Sequence, residues 1–337
     1  MLLNIVLLIV GFVLLIKGAD ILVDGSSAIA KKFGISSLII GLTIVAFGTS
    51  APELIVNIIS SINGNSDIGM GNIIGSNISN ILLVLGASAL FVPLEVERSI
   101  IKKQIPFSVL ASLALFILIN STLINGTGQD GLFRSGGFIL ILFFSIFIYY
   151  TFSVVRKQAA LGDIVERLFK FRFFYRTMGD KEASNKKANF IHVLMIIGGV
   201  VALFFGGKLI VDSSVFIASS FGLSEALIGL TIVAIGTSLP ELAASIMAAR
   251  KNEIGMAVGN VVGSNIFNIL WVLGLSAVIS PIGFNPALNF DILFLIIVSL
   301  ALLPLIYIGK KLYFTKKEGF VLLAFYLFYL TYIIIRG

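Results

Sequence analysis

Apolar residues dominate the chain in long runs that are separated by short polar segments. Each run holds about 20 residues or more, which lets a helix cross the ~30 Å of hydrocarbon in a bilayer. The pattern therefore predicts an all-α integral membrane protein with ten transmembrane helices. The expected spans lie near residues 2–30, 36–60, 69–92, 100–123, 131–155, 189–218, 224–249, 257–280, 287–309 and 317–335.

Two motifs occur twice in the chain at the same separation. Gly41 to Leu54 reads GLTIVAFGTSAPEL and Gly229 to Leu242 reads GLTIVAIGTSLPEL, so that 12 of 14 positions are identical at an offset of 188 residues. The same offset relates GNIIGSNISNIL at 71–82 to GNVVGSNIFNIL at 259–270. The chain is therefore expected to contain two copies of one unit.

The two copies are predicted to be five-helix repeats, residues 1–155 and 189–337, joined by a loop of residues 156–188. Because five is an odd number of spans, the second copy enters the membrane from the opposite side and the repeat is inverted. Residues 1–16 lack the basic start of a signal peptide, and the repeat runs through this region, so we expect them to belong to the first span. The basic and aromatic stretch 165–176 predicts an interfacial segment on a membrane surface.

Composition and charge support a membrane protein and argue against other classes. Of the 337 residues, 58% are hydrophobic and 12% are charged, whereas soluble proteins average about 25% charged residues. The net charge of +7 does not indicate a nucleic-acid partner, because 20 of the 24 Lys and Arg residues lie in loops expected on one side of the membrane. Since these residues collect on the cytoplasmic side, we predict a multi-pass cell-membrane protein with an external N-terminus and a cytoplasmic 156–188 loop.

Two carboxylates fall where membrane proteins rarely carry them. Glu53 and Glu241 lie mid-span in the second and seventh predicted helices, at equivalent positions of the repeat. A carboxylate there costs ~2.5–3.5 kcal/mol or more, so it persists where it faces a cavity, a partner or an ion. The pair is expected to face each other near the midplane, where it either shares a proton or neutralises a cation. Asp24 and Asp212, near helix ends, are interpreted as solvated or paired with Lys.

Hydroxyl and amide oxygens accompany the two glutamates in the predicted bundle. Such hard oxygen ligands suit calcium and sodium, and the lack of Cys and of clustered His disfavours zinc or copper. Hydrogen bonding between helices without any ion is the alternative role for each Ser and Asn. The residues are Thr49, Ser50, Ser76, Asn77 and Asn80 in the first copy and Thr237, Ser238, Ser264, Asn265 and Asn268 in the second.

A proline precedes each of the two glutamates. Pro52 and Pro240 each remove a backbone hydrogen bond and press against the carbonyl four residues earlier. Carbonyls near Ala46 to Thr49 and Ala234 to Thr237 are then expected to turn into a cavity, as in the broken helices that transporters use to coordinate cations.

The motif pairs GTSAPEL with GNIIGSNISN and GTSLPEL with GNVVGSNIFN resemble the two alpha-repeats of the sodium/calcium exchanger family, of prokaryotic type, in the cation/calcium exchanger superfamily. The motifs cover about 26 residues in each half, and the ten-span inverted architecture extends the likeness to nearly the whole chain. The resemblance implies an antiporter that is not an enzyme and moves Ca2+ in exchange for Na+ by alternating access. It implies no cofactor, and we expect a functional monomer in the lipid bilayer.

The resemblance also implies roles for individual residues between helices 2, 3, 7 and 8. Glu53 and Glu241 would bind calcium together with the backbone carbonyls of Thr49 and Thr237. Flanking sodium sites would use Ser50, Ser238, Ser76, Ser264 and the carbonyls of Ala46 and Ala234, and the remaining corners would be Asn80 and Asn268.

Some archaeal and potassium-dependent relatives have Asp at the position of Asn268, so this chain differs in having two neutral corners. The main competing hypothesis is a proton-coupled calcium antiporter, in which Glu53 and Glu241 take protons instead of sodium. A channel, a transporter of another cation, and a sensor or structural membrane protein would also accommodate these residues.

Overall fold

The computed structural model describes the backbone of residues 1–126, 128–170, 181–221 and 234–336. Side chains are described in the same ranges except at 154–170, 181–189 and 234.

Helices form nearly all of the described chain. The first half contains α1 (Leu2–Phe33), α2 (Ser37–Ile40), α3 (Ala46–Thr49), α4 (Ala51–Ile62), α5 (Ser66–Ser79), α6 (Leu85–Phe91), α7 (Ile105–Ile119), α8 (Ser121–Asn125) and α9 (Arg134–Lys170). The second half contains α10 (Lys181–Ser220), α11 (Ala234–Thr237), α12 (Leu239–Arg250), α13 (Ile254–Ile266), α14 (Gly274–Ile279), α15 (Asn289–Ile308) and α16 (Lys316–Arg336).

Shorter elements connect these helices. The π-helical segments are Gly41–Val45, Asn80–Val84, Ile100–Gln104 and Phe267–Leu273, and Pro286–Leu288 forms one turn of 3-10 helix. The strands are β1 (Leu94–Glu95), β2 (Gly131–Leu132), β3 (Ile282–Gly283) and β4 (Tyr313–Phe314).

The described chain contains eight helices long and apolar enough to cross a membrane. A ninth span results if the bent pair Ser37–Thr49 and Ala51–Ile62 is counted as one. The remaining expected span, residues 224–249, is described only from Ala234 onwards, so the count of ten stays a prediction. The predicted fold class, an all-α integral membrane protein, is confirmed.

The expected connecting loop of residues 156–188 is helical over much of its length. Helix α9 continues to Lys170 and α10 already begins at Lys181. The apolar run ends near Ser153, but the following residues include Ala, Leu, Glu, Lys and Arg, which favour helix without any need for lipid. Much of the 165–176 stretch lies outside the described residues, so its expected contact with the membrane surface stays a prediction.

Matching elements of the two halves recur at the spacing found in the sequence. Helices α4 and α12 begin and end 188 residues apart, and so do β1 and β3. Strand β1 pairs with β4 and β2 pairs with β3, both antiparallel, so each pair joins a connection of the first half to one of the second. These correspondences agree with a duplicated unit, and the inverted orientation of the two copies stays a prediction.

Two long helices occupy the centre of the bundle. Ser66–Phe91 and Ile254–Ile279 each have 78% of their most apolar stretch buried, whereas the corresponding value for Leu2–Phe33 and Phe190–Ser220 is 28%. The outer helices expose many large apolar side chains, including Phe12, which in a bilayer contact lipid. The Ser and Asn residues of the second motif therefore lie on the most buried of these spans.

Helices α1 and α10 contact each other through glycines on both helices. A Cβ added at Gly199 would lie 2.8 Å from the carbonyl oxygen of Gly18, and one added at Gly206 would lie 2.9 Å from that of Gly11. A Cβ added at Gly25 would lie 2.9 Å from the carbonyl oxygen of His192. Glycine therefore permits a backbone separation that any side chain would prevent.

We expect Gly199→Ala to destabilise the protein by about 1–3 kcal/mol, because the new Cβ would also lie 2.7 Å from the backbone nitrogen of Leu22. Gly198→Ala is the matched control, since an added Cβ there meets no described atom within 4 Å. Thermal unfolding of the two purified variants measures the difference. Equal unfolding temperatures would contradict the close contact between α1 and α10.

Candidate cation site

The break between α3 and α4 positions Glu53. Ser50 leaves the helical conformation at φ −82° and ψ 6°, and the two helical segments meet at 45°. Pro52 occupies the start of α4, where its missing N–H costs no helical hydrogen bond. Glu53 follows in the first turn, where the helix dipole favours a negative charge. The second half repeats this arrangement, with Ser238 at φ −88° and ψ 3° and Glu241 in the first turn of α12.

Both glutamates are completely buried, and neither forms an ion pair with a described residue. Ser50 Oγ donates to Glu241 Oε1 at 3.2 Å, and Ser264 Oγ lies 3.5 Å from the same oxygen. Glu241 Oε2 and both carboxylate oxygens of Glu53 have no hydrogen-bond partner in the described chain. Three buried carboxylate oxygens thus remain uncompensated, and a bound cation would compensate them.

Hydroxyl groups of the two halves meet beside the glutamates. Thr49 Oγ1 and Ser264 Oγ are 3.4 Å apart, and Ser76 Oγ and Thr237 Oγ1 are also 3.4 Å apart. Ser238 Oγ is buried without a described hydrogen-bond partner. The hydroxyl residues predicted from the two motifs therefore lie together, although they are up to 215 positions apart in the chain.

Four asparagines join the central helices by reciprocal hydrogen bonds. Asn77 Nδ2 donates to the backbone carbonyl of Asn265 at 3.3 Å, and Asn265 Nδ2 donates to that of Asn77 at 3.2 Å. Asn80 Nδ2 donates to Asn265 Oδ1 at 3.1 Å, and Asn268 Nδ2 donates to Asn77 Oδ1 at 3.0 Å. A backbone carbonyl can only accept, so the side-chain atom of Asn that faces it must be the nitrogen, and the orientation of all four amide groups follows from these bonds.

The fixed orientation leaves Asn80 Oδ1 and Asn268 Oδ1 as buried acceptors without a described donor. Both residues are almost fully buried, and an unpaired amide oxygen in such a place costs free energy unless it meets a donor or a cation. Asn77 and Asn265 thus use their side chains for hydrogen bonds between helices. Asn80 and Asn268 combine such a bond with a free oxygen.

The carbonyl of Ala46 is not freed by the helix break in this structure. It accepts the N–H of Ser50 at 3.0 Å, because the helical hydrogen bonds continue one residue past α3, and it lies 3.4 Å from the hydroxyl of Thr49. In the second half the N–H of Ser238 bonds to the carbonyl of Ile235 at 3.1 Å instead. The expectation of an open carbonyl at Ala46 was therefore wrong for this conformation. The roles of Ala46 and Ala234 as ligands stay predictions.

Sequence reasoning did not single out Asn260, which contacts the site directly. Thr49 Oγ1 donates to Asn260 Oδ1 at 3.2 Å, and Asn260 Nδ2 lies 3.4 Å from the backbone carbonyl of Glu241. Asn57 Nδ2 likewise donates to the backbone carbonyl of Glu53 at 3.1 Å. Asn260 belongs to the Gly-Asn pair that begins each copy of the second motif. This repetition was the sequence feature that could have identified it.

A charged cluster connects α1 to the end of α12. Lys251 Nζ lies 2.5 Å from Asp20 Oδ1 and 2.6 Å from Asp24 Oδ1, and Lys208 pairs with Asp212 at 2.9 Å. Partial burial lowers the pKa of the Lys251 ammonium, but the two carboxylates outweigh this effect, so its pKa is raised. Asp24 and Asp212 are thus paired with Lys, as the sequence indicated.

A cavity of about 340 Å3 lies beside the site, between α4, α10 and α12. Its lining includes Thr237, Pro240 and Asp212. Because Thr237 also contacts Ser76, the cavity reaches the oxygen cluster from one side of the bundle.

Together these features define a polytopic membrane protein with a buried candidate cation site between two repeated helix pairs. The model of the family described as sodium/calcium exchanger protein matches residues 3–153 and 191–335. The chain is 39% identical to the putative antiporter CaxA of Alkalimonas amylolytica, with 98% of both chains covered. It is 33% identical to the sodium/calcium exchanger MaX1 of Methanosarcina acetivorans, with 97% of both chains covered.

A solved structure of the sodium-calcium exchanger NCX_Mj superimposes with a TM-score of 0.78 at 31% identity, covering 98% of both chains. The chain belongs to the sodium/calcium exchanger family. It is therefore a multi-pass membrane transporter and not an enzyme, and the family assigned from the two motifs is confirmed.

Proposed function

We propose that the chain is an antiporter that moves Ca2+ across the cell membrane in exchange for Na+ by alternating access. The observation that carries this proposal is the pair Glu53 and Glu241, completely buried, without a basic partner in the described chain and with three unpaired oxygens. Their combined charge of about −2 is balanced by one Ca2+ or nearly balanced by two or three Na+. Since the two loads compete for the same carboxylates, binding of one displaces the other, as exchange requires.

The ligand roles in this proposal are those that the resemblance to the two alpha-repeats implies, and the oxygens that lie near the glutamates support them. In this proposal Ca2+ lies between Glu53 and Glu241 with the backbone carbonyls of Thr49 and Thr237, and Na+ occupies flanking positions. The flanking ligands are Ser50, Ser76, Ser238, Ser264 and the carbonyls of Ala46 and Ala234, with Asn80 and Asn268 at the remaining corners. Oxygen ligands of this kind suit both ions, and the relative MaX1 is named a sodium/calcium exchanger.

Calcium uptake into proteoliposomes, with sodium, potassium and proton gradients imposed one at a time, tests the function. We expect an outward sodium gradient to drive uptake and a proton gradient at equal sodium to leave it near background. Uptake driven by protons alone would instead establish the proton-coupled antiporter. Calcium binding without flux under any gradient would identify a sensor or a structural protein.

The distribution of basic residues supports an external N-terminus and a cytoplasmic connection between α9 and α10. We expect a cysteine at Ser121 to react with an impermeant thiol reagent from outside intact cells. A cysteine at Ser184 should react only after permeabilisation. The natural chain contains no Cys, so the unmodified protein is the background control. Labelling of both positions from the same side would overturn the inverted arrangement.

A further inference from the structure

A cavity of about 320 Å3 lies where two connections of the bundle are joined by strands. Strand β1 precedes the π-helical start of α7, and its partner β4 follows α15. The N–H of Val96 extends the pairing by donating to the carbonyl of Leu312 at 2.8 Å. The cavity is lined by Arg98, Ile101, Lys102, Tyr307, Lys311 and Leu312.

Three cationic side chains line this cavity, and its lining includes no carboxylate. The side chains of Arg98, Lys102 and Lys311 form no ion pair within the part of the chain that the structure describes. The adjacent carboxylate of Glu97 accepts a hydrogen bond from Ser99 and lines a different cavity. All three side chains are exposed, and a cluster of like charges at the end of membrane spans attracts an anion.

The backbone beside the cavity is held in an unusual conformation. Leu312 has φ +66°, a left-handed value that is rare for a large side chain and costs on the order of 1–3 kcal/mol. Its N–H donates to the carbonyl of Ile306 at 3.1 Å, so both polar backbone groups of Leu312 are engaged. This turn places Lys311 on the same cavity as Arg98, although the two residues come from different halves of the chain.

The corresponding positions at β3 carry no charge. The residues 188 positions from Arg98 and Lys102 are Pro286 and Phe290, and the residue 188 positions before Lys311 is Leu123. The duplicated scaffold by itself therefore does not require these cations. They distinguish one pair of connections from the other.

We propose that this cavity binds the phosphate group of an anionic phospholipid. Arg98, Lys102 and Lys311 would contact the phosphate oxygens, and Arg98 can do so through two parallel hydrogen bonds. Ile101, Tyr307 and Leu312 supply an apolar wall at the ends of two spans, where acyl chains begin. A free phosphate ion would use the cations but not this wall, so the geometry favours a lipid, as in basic pockets between transmembrane helices.

The test compares two full-length variants with equal loss of charge. Arg98→Gln with Lys311→Gln removes one exposed cation of the cavity from each half, whereas Lys316→Gln with Lys317→Gln removes two equally exposed cations that do not line the cavity. We titrate each purified protein with phosphatidylglycerol, with phosphatidylcholine and with inorganic phosphate, and follow thermal unfolding and retained lipid by native mass spectrometry.

Phosphatidylglycerol should stabilise the wild type and the control variant more than phosphatidylcholine does. The cavity variant should bind phosphatidylglycerol on the order of tenfold more weakly. Equal responses of the two variants to phosphatidylglycerol would show that the lipid does not bind in this cavity. If inorganic phosphate stabilised the wild type as much as phosphatidylglycerol does, the cavity would be a phosphate site and the lipid proposal would be wrong. If the double variant does not fold, Lys102→Gln provides the same comparison, and an unchanged lipid response of that variant would refute the proposal.

Discussion

Glu53→Gln and Glu241→Gln are each expected to abolish sodium-driven calcium uptake while the protein still folds and inserts. Each substitution removes half of the charge that faces Ca2+ in a site with no other described carboxylate. A loss of ~3 kcal/mol in binding free energy already corresponds to a decrease of more than about 100-fold in affinity. Initial uptake into sodium-loaded proteoliposomes measures the loss.

A second readout separates loss of the ion from loss of the fold. Calcium should raise the unfolding temperature of the wild type but not that of either glutamine variant, because calcium stabilises the folded state only if it binds to it. Without ions the variants should be as stable as the wild type or more so, since a buried unpaired carboxylate is costly. Glu97→Gln, at an exposed position, is the control and should transport normally. Near-normal uptake by either site variant would show that the central assignment is wrong.

Asn268→Asp is expected to make transport depend on pH or on potassium, whereas the wild type should need no potassium. In the structure Asn268 Nδ2 donates to Asn77 Oδ1, and Asn77 is itself fixed by a bond to a backbone carbonyl. An ionised carboxylate at 268 would place two acceptors against each other, at a cost of about 1–3 kcal/mol. The carboxyl group must therefore keep a proton or recruit an additional cation.

Initial calcium uptake in choline or potassium medium, between about pH 6 and pH 9, distinguishes these outcomes. We expect Asn268→Asp to lose on the order of tenfold in choline at high pH and to recover with potassium or at lower pH. Asn63→Asp adds the same charge at an exposed position and should change neither dependence. If calcium uptake by Asn268→Asp changed with neither potassium nor pH, residue 268 would not face the ion pathway. A potassium requirement in the wild type would refute the argument from two neutral corners.

The sequence predicted the centre of the molecule because the signal there is repeated. Glu53 and Glu241 are charged residues in apolar spans, and each stands in a motif present twice, so their burial and shared location could be inferred from patterns alone. The spacing of Ser76 and Asn80 likewise placed both on one face of a helix. These inferences depend on helix periodicity and on the cost of burying charge, and both can be judged from residue types.

Hydrogen-bond partners and the exact ends of helices could not be inferred from the sequence. Nothing in the motif indicates that Asn77 bonds to the backbone of Asn265, because that contact depends on how closely the two helices approach. The occupied carbonyl of Ala46 depends on the exact residue at which α3 ends, and helix ends vary by one or two positions. The helical continuation of α9 past Ser153 was missed because the span was judged by hydropathy, which ends before the helix does.

The reciprocal asparagine bonds and the glycine contacts have different consequences for movement. Displacing α5 along α13 would break two side-chain to backbone bonds and the two further amide bonds that depend on their geometry. Moving α1 along α10 would exchange one close backbone contact at a glycine for another, and the glycines recur at intervals of seven residues at Gly11, Gly18 and Gly25. The asparagine bonds therefore oppose sliding of α5 along α13, whereas the glycine contacts oppose sliding of α1 along α10 much less. In the proposed exchange, a change of access would therefore take place along α1 and α10 while the proposed ligands on the central helices keep their spacing.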